Sequence, residues 1–312
     1  ETRRDRLVGC YVTAPTMFCD NDLELDLPAI RKHVQFLIHG GVKVGTGVIL
    51  AGGAAGDFST MTFDERVKVA DAIIQEADGR VPVVMGAQTT STRELIQIAK
   101  AAYRLGAEYI QVSPPYYFQP TEDDFYEYVV SAAEAADIGI ILYNTFWTSS
   151  NISLGMVERL SELPNLVGLK WSVPGSESLA LQQILIRFAD SMSIIDNQLA
   201  FITSHMHGAR GIELHPTNYW PQWGVGIWQM LEDRKYAEVE EEVVRVVLPF
   251  YQIWQEMSKY TQGDGYLDKL CMELVGLGSS RCRPPTRDVR NQYREKVRQM
   301  LIQCGVPGIV KT

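Results

Sequence analysis

The chain has 312 residues, 46% hydrophobic and 21% charged, ordinary values for a folded protein. Its 38 acidic and 29 basic side chains leave a net charge of -9 with no block of lysines and arginines. That argues against nucleic acid or an anionic membrane surface as partner. No apolar run approaches the ~20 residues of a membrane-spanning helix, and the charged start ETRRDR does not read as a signal peptide.

In chain order, LVGCYVTAP (7–15) is the first of eight apolar runs. It is followed by GVILAGG (47–53), VPVVMGA (81–87), YIQVSPP (109–115), GIILYNT (139–145), LVGLKWS (166–172), SIIDN (193–197) and GIELHP (211–216). They are nearly continuous rather than alternating, as expected of parallel strands covered on both faces.

The segments between them read as helices. DLPAIRKHVQFLIHGG (26–41) begins at an Asp with Pro just inside and stops at Gly. TFDERVKVADAIIQEADGR (62–80) carries Thr62 and Glu65 in capping-box spacing, and STRELIQIAKAAYRLGA (91–107) repeats that pattern with Ser91 and Glu94 before stopping at Gly106. Its apolar residues recur every three or four positions, so one face packs on the sheet.

Eight strand–helix units leave an open doubly wound sheet or a closed barrel. No G-x-G-x-x-G follows the first strand, and AGGAAG (51–56) lacks both that spacing and the Lys-Ser/Thr of a phosphate loop. The repeat fills about 230 residues, the usual barrel length. The fold expected is therefore an α/β (β/α)8 TIM barrel over 1–233. Beyond it, DRKYAEVEEEVVRVVLPFYQIWQEMSKY and RDVRNQYREKVRQMLIQCG are helical with no strand between, so 234–312 is expected to form a helical C-terminal extension packed on the barrel.

Cys10, Cys19, Cys271, Cys282 and Cys304 are scattered and include no C-x-x-C pair. They read as reduced thiols, which suits the cytoplasm.

A parallel barrel builds its active site at the C-terminal strand ends. Lys170 is the only lysine inside one of the eight runs. A strand lysine is either salt-bridged, snorkelling or reactive. Burial disfavours a charged amine, and a neutral amine in a closed site adds to a ketone carbonyl to form a Schiff base. Tyr143, one strand away at the same end, is a natural proton shuttle. The Gly-rich turn holding Ala54 and Ala55 offers backbone N–H groups to a carboxylate, unless it is only a tight strand-to-helix turn. Tyr116 and Tyr117 read as packing aromatics or binding groups.

Glu213 and His215 stand two apart on the eighth run and are expected to face the same side. With Asp57 and Asp196 they would be the ligands of a metal-dependent alternative. No H-x-H or H-E-x-x-H signature supports it, so neither metal nor cofactor is expected. His205 and His207 read as ordinary helix residues.

At these residues the sequence resembles the dihydrodipicolinate synthase / N-acetylneuraminate lyase family of class I aldolases, over nearly its whole length. That family carries G-T-T-G-E after its second strand, P-Y-Y after the fourth, Y-N-x-P after the fifth and G-x-K on the sixth. Here these stand as GAAGD (53–57), PPYY (114–117), YNTF (143–146) and GLK (168–170), and RCRPPTRDV is similar to the family's C-terminal segment. The resemblance implies Lys170 as the Schiff-base lysine, Tyr143 as its proton shuttle, and Tyr117 as an aromatic reaching a neighbouring subunit in a homodimer or homotetramer.

The departures bear on substrate. Ala54 and Ala55 replace the threonines of the family's hydroxyl relay, and Thr148 stands where an arginine usually holds a second carboxylate. Phe146 and Trp147, and NYWPQW after the eighth run, suggest a larger, more apolar partner. The expected function is a Schiff-base lyase or aldolase acting on a 2-oxo acid such as pyruvate and on an aldehyde, in the manner of the family's hydratase-aldolases. Lys170, Tyr143 and Glu213 are its catalytic candidates; burial beside apolar neighbours is expected to raise the Glu213 pKa. Ala54, Ala55, Tyr117, Trp147, Thr148 and His215 are the substrate-binding candidates. A lysine-pathway synthase or hydroxy-oxoglutarate aldolase is the alternative within the class, and an inactive barrel kept as a scaffold is the alternative outside it.

Overall fold

A computed structural model describes residues 2–175 and 178–310. The eight apolar runs become β1 (Gly9–Ala14), β2 (Gly47–Ala51), β3 (Val83–Gly86), β4 (Tyr109–Val112), β5 (Gly139–Tyr143), β6 (Leu166–Trp171), β7 (Ser193–Asp196) and β8 (Gly211–Ile212). They pair in parallel in chain order, and β8 closes on β1. This is the (β/α)8 barrel.

Two apolar clusters hold it together. Leu7, Tyr11, Val48, Leu50, Val84, Tyr109, Ile141 and Ile195 fill the barrel interior. Their strand neighbours, such as Val12, Ile49, Ile110, Leu142 and Ile194, face outward into a larger cluster with the helices. Alternate residues thus serve two different cores, which is why the strands read as continuous apolar runs.

A short helix, α1 (Arg3–Arg6), precedes the barrel, and its coat is α2 (Leu27–His39), α3 (Phe63–Ala77), α4 (Thr92–Leu105), α5 (Glu122–Ala135), α6 (Leu154–Leu160), α7 (Ser178–Phe188), α8 (Phe201–Met206) and α9 (Pro221–Glu232). Local signals explain several ends. Asp26 accepts a hydrogen bond from the Ala29 N–H at 3.0 Å, and Thr62 and Glu65 form the expected reciprocal capping box on α3. The matching expectation for α4 is corrected. Ser91 accepts from the Glu94 N–H, but the Glu94 carboxylate accepts instead from the Thr89 hydroxyl.

The remaining helices are α10 (Tyr236–Met257), α11 (Tyr266–Leu274) and α12 (Arg290–Gln303). The first and last lie in the two stretches read as helical, whereas α11 was passed over. Its residues Tyr266–Met272 are buried without exception, including Asp268 and Lys269. Arg283 ties this part to the barrel mouth, donating to Leu23 O at 2.8 Å and Thr60 O at 3.0 Å while pairing with Glu65. Among the described residues no helix is long and apolar enough to cross a membrane.

Candidate active site

Strand alternation decides which side chains reach the barrel interior. On β6, Leu169 and Trp171 face the helices, so Lys170 points inward. Gly168, two residues earlier on that face, must be small: a Cβ there would lie 2.5 Å from Cδ2 of Leu7. On β5, Tyr143 is the register partner of Lys170 and shares its orientation. β1 contributes Tyr11 and, one step nearer the mouth, Thr13.

These side chains converge. Lys170, 2% exposed, forms an ion pair through Nζ with Glu213 Oε2. Nζ lies 4.3 Å from the centre of the Tyr143 ring and 5.1 Å from that of Tyr11. The other Glu213 oxygen accepts a hydrogen bond from the Thr13 hydroxyl. Tyr143 OH accepts from Asn197 Nδ2 at 3.1 Å, and Tyr11 OH donates to Gln111 Oε1 at 2.8 Å. Of these partners, Thr13, Tyr11 and Gln111 escaped the sequence reading. Continuing the inward alternation along β1 would have exposed the first two.

The electrostatics correct one expectation. Burial pushes the Glu213 carboxyl up, but Lys170, His215 and the Lys170 and Thr13 hydrogen bonds outweigh it, so its pKa is lowered rather than raised. Tyr143 moves well above its ordinary value, through burial and then the charges of Glu213 and Asp264. It is therefore a phenol, able to donate, at neutral pH.

Glu213 and His215 do not share a strand. β8 ends at Ile212, and His215 begins a 3-10 turn, His215–Asn218, because Pro216 cannot continue a central strand. His215 Nδ1 lies 3.0 Å from Asp268 Oδ1, and its ring stacks on Phe250 at 5.5 Å. Burial alone would push this imidazole down, but Asp268 lifts it to about 9. Asp196 faces outward with Trp171, its register partner, and accepts from the Ser204 hydroxyl. Asp57 pairs with Lys269. The four side chains of the metal alternative are thus engaged with four different partners, and no three His, Cys, Asp or Glu converge on a metal position among the described residues.

A cavity of about 1010 Å³ opens beside Tyr143. Ala54, Phe58, Tyr116, Tyr117, Trp147 and Thr148 are on its wall, with Gln88 and Thr145 adding polar groups. Tyr143 belongs to both the cavity and the Lys170 cluster, so it joins the two.

A model of the dihydrodipicolinate synthetase family matches residues 8–304. The chain belongs to this family. Its members are class I lyases that work through a lysine Schiff base, and the chain is an aldolase or lyase of that kind. It is 30% identical over 292 residues to a 4-hydroxy-tetrahydrodipicolinate synthase of Geotalea daltonii, covering 93% of this chain and 96% of that one. A 4-hydroxy-tetrahydrodipicolinate synthase of Methylococcus capsulatus is 34% identical over 160 residues, covering 51% of this chain and 54% of that one. The same fold appears in a chloride-inhibited dihydrodipicolinate synthase of Acinetobacter baumannii complexed with pyruvate, with a TM-score of 0.82 and 24% identity over 96% of this chain and 99% of that one.

Against the family pattern, Ala54 is exposed on the cavity wall and Ala55 is buried, its carbonyl oxygen 2.3 Å from where a Cβ on Gly265 would stand. The Thr148 hydroxyl donates to Thr145 O at 3.0 Å. Trp147 is half exposed, with its ring 5.8 Å from that of Tyr143. Tyr117, 87% exposed, has a positive φ of 85°. The NYWPQW segment does not serve as expected. Tyr219 and Trp223 are buried, and Trp223 Nε1 donates to Glu242 on α10 at 2.8 Å, so these rings pack the shell rather than the cavity.

Proposed function

We propose that the protein is a Schiff-base lyase or aldolase in which Lys170 condenses with a 2-oxo acid, pyruvate in the simplest case. The observation that carries this reading is the buried Lys170–Glu213 pair between the rings of Tyr11 and Tyr143. Glu213 is placed to take the ammonium proton, which frees the amine to attack. The Tyr143 phenol, held by Asn197, donates to the carbonyl oxygen and links the lysine to the cavity where a second substrate sits. The amides of Ala54 and Ala55 bind the 2-oxo acid's carboxylate through the backbone, which the loss of the threonine side chains leaves intact.

The second substrate we assign is a neutral aldehyde with an apolar or aromatic body. Phe58, Tyr116 and Trp147 supply stacking surface, and neither Arg nor Lys is on the cavity wall among the described residues. The relatives named as 4-hydroxy-tetrahydrodipicolinate synthases favour a second reading, in which the chain makes that product. Turnover of pyruvate with a panel of neutral aromatic aldehydes and with aspartate semialdehyde separates the two. Selective use of the semialdehyde would overturn our assignment.

Tyr116, Tyr117 and Phe118 form an exposed aromatic patch beside the cavity, which we assign to a contact with a second copy of the chain. His215 supports Asp268 rather than binding substrate. The five free cysteines suit a reducing, cytoplasmic setting.

A further inference from the structure

The charged side chains around the barrel mouth are paired: Lys170 with Glu213, His215 with Asp268, and Lys269 with Asp57. Asp264 stands apart. It has no hydrogen-bond or ion-pair partner among the described residues, although it is only partly exposed. It lies between α10 and α11, flanked by Gly263, at a φ of 137°, and Gly265. Gly265 presses on the turn after β2 so closely that its Cβ would stand 2.3 Å from Ala55 O. The segment carrying Asp264 is therefore laid on the very turn where the threonine hydroxyls are missing. From there its carboxyl is close enough to Lys170, Glu213, His215 and Asp268 to feel their charges, and its own charge reaches Tyr143.

We propose that Asp264 is the proton donor and acceptor of the Schiff-base steps, replacing the hydroxyl relay that Ala54 and Ala55 cannot provide. This rests on the Lys170 reading. Glu213 takes the ammonium proton, the free amine adds to the carbonyl carbon, and the carbonyl oxygen takes a proton from Tyr143; the phenolate left behind takes one from the new ammonium nitrogen, which restores the phenol and gives a neutral carbinolamine. Protonated Asp264 then gives its proton to the carbinolamine hydroxyl. The C–O bond breaks, water leaves, and the nitrogen lone pair becomes the second bond of the iminium. Asp264 is left as a carboxylate beside the new cation, and hydrolysis at the end of turnover returns the proton.

Two features suit Asp264 better than Glu213 for this step. Glu213 already holds Lys170 and Thr13 and has a lowered pKa. Asp264 is pushed up by burial, pulled down by His215, raised by Glu213 and Asp268, and pulled down by Lys170, with a net value of about 6. The titratable groups that exchange charge effects with it are Lys170 and Tyr143 from the strands, Glu213 and His215 after β8, Tyr251 on α10, and Tyr266 and Asp268 on α11. The acid form thus coexists with its base near neutrality.

The test measures the single-turnover rate of pyruvate adduct formation, quenched with borohydride, between pH 5 and 8. Wild type should slow as Asp264 ionises. Asp264→Asn should be slower at pH 6 by ~10²-fold or more, with pyruvate affinity little changed and that pH dependence gone. Asp264→Glu, which keeps the acid and gives a second readout if the Asn variant does not fold, should retain the dependence with a displaced midpoint. A folded Asn variant with wild-type rate and pH profile, or a Glu variant with an undisplaced midpoint, would overturn the role of Asp264 alone. Absence of any adduct in wild type would overturn the Lys170 reading and this proposal with it.

Discussion

Tyr143 and Lys170 are partners in the β5–β6 register, and the Lys170 ammonium sits 4.3 Å from the centre of the Tyr143 ring. Parallel pairing makes this juxtaposition obligatory, because partnered residues on adjacent strands point to the same face. The phenol is thereby fixed between the amine and the cavity. Tyr143→Phe should lower kcat by ~10²–10⁴-fold, the usual contribution of a positioned proton donor, with little change in pyruvate affinity. Steady-state kinetics on the folded variant checks this. A loss confined to KM would make Tyr143 a binding residue only.

Glu213→Gln should weaken both rate and stability. Removing one member of a buried pair leaves the other without its counter-charge, at a cost of ~3–5 kcal/mol. The lowered Glu213 pKa sets the sign of the pH effect. Its stabilisation is present above the unfolded value of ~4.3 and is lost as pH falls through the folded one. Denaturant melts should therefore show a gap between wild type and variant at neutral pH that closes in acid. A gap independent of pH would mean that the charge of Glu213 is not what is lost.

How much of this was legible in the sequence follows from the range of each signal. The strands were readable because both faces of each are covered, and α2 and α3 because Asp26 and Thr62 cap them locally. Lys170 stood out as the one lysine inside a strand run, and Tyr143 as the phenol one strand away at the same barrel end; the family resemblance was what favoured a reactive lysine over a salt-bridged or snorkelling one. Glu213 was singled out, but the direction of its pKa was not, since that depends on an ion pair made across the barrel. Asp264, Asp268 and Lys269 were missed for a similar reason. They lie in a helical extension that reads as a coat, and only the tertiary fold turns their segment onto the strand ends. The apolar cue of Trp223 misled because hydrophobicity does not say which cavity a ring fills.

The His215–Asp268 pair should give the opposite pH trend. His215 is raised to about 9 in the fold against ~6.5 unfolded. Its stabilisation is fully present below the unfolded value and fades as pH rises through about 9, on the order of 3 kcal/mol in all. His215→Gln should flatten the fall in thermal stability between pH 7 and 10. A wild-type curve already flat over that range would show that the imidazole is neutral in the fold.

Thr148 is on the cavity wall, at the position where the family resemblance implies an arginine for a second carboxylate. Thr148→Arg should improve KM for an aldehyde bearing a carboxylate by ~10–100-fold, the worth of one charge-assisted hydrogen bond of ~1.5–3 kcal/mol, and leave neutral aldehydes no better. An equal effect on both kinds would place Thr148 away from the second substrate.

The chemistry proposed for this site rests on a covalent bond between Lys170 and a 2-oxo acid, which peptide mass mapping after borohydride reduction in the presence of pyruvate detects. The peptide containing Lys170 should gain the mass of a reduced pyruvyl group, and Lys170→Ala should abolish that gain. An adduct on another lysine, or none across a range of 2-oxo acids, would contradict it.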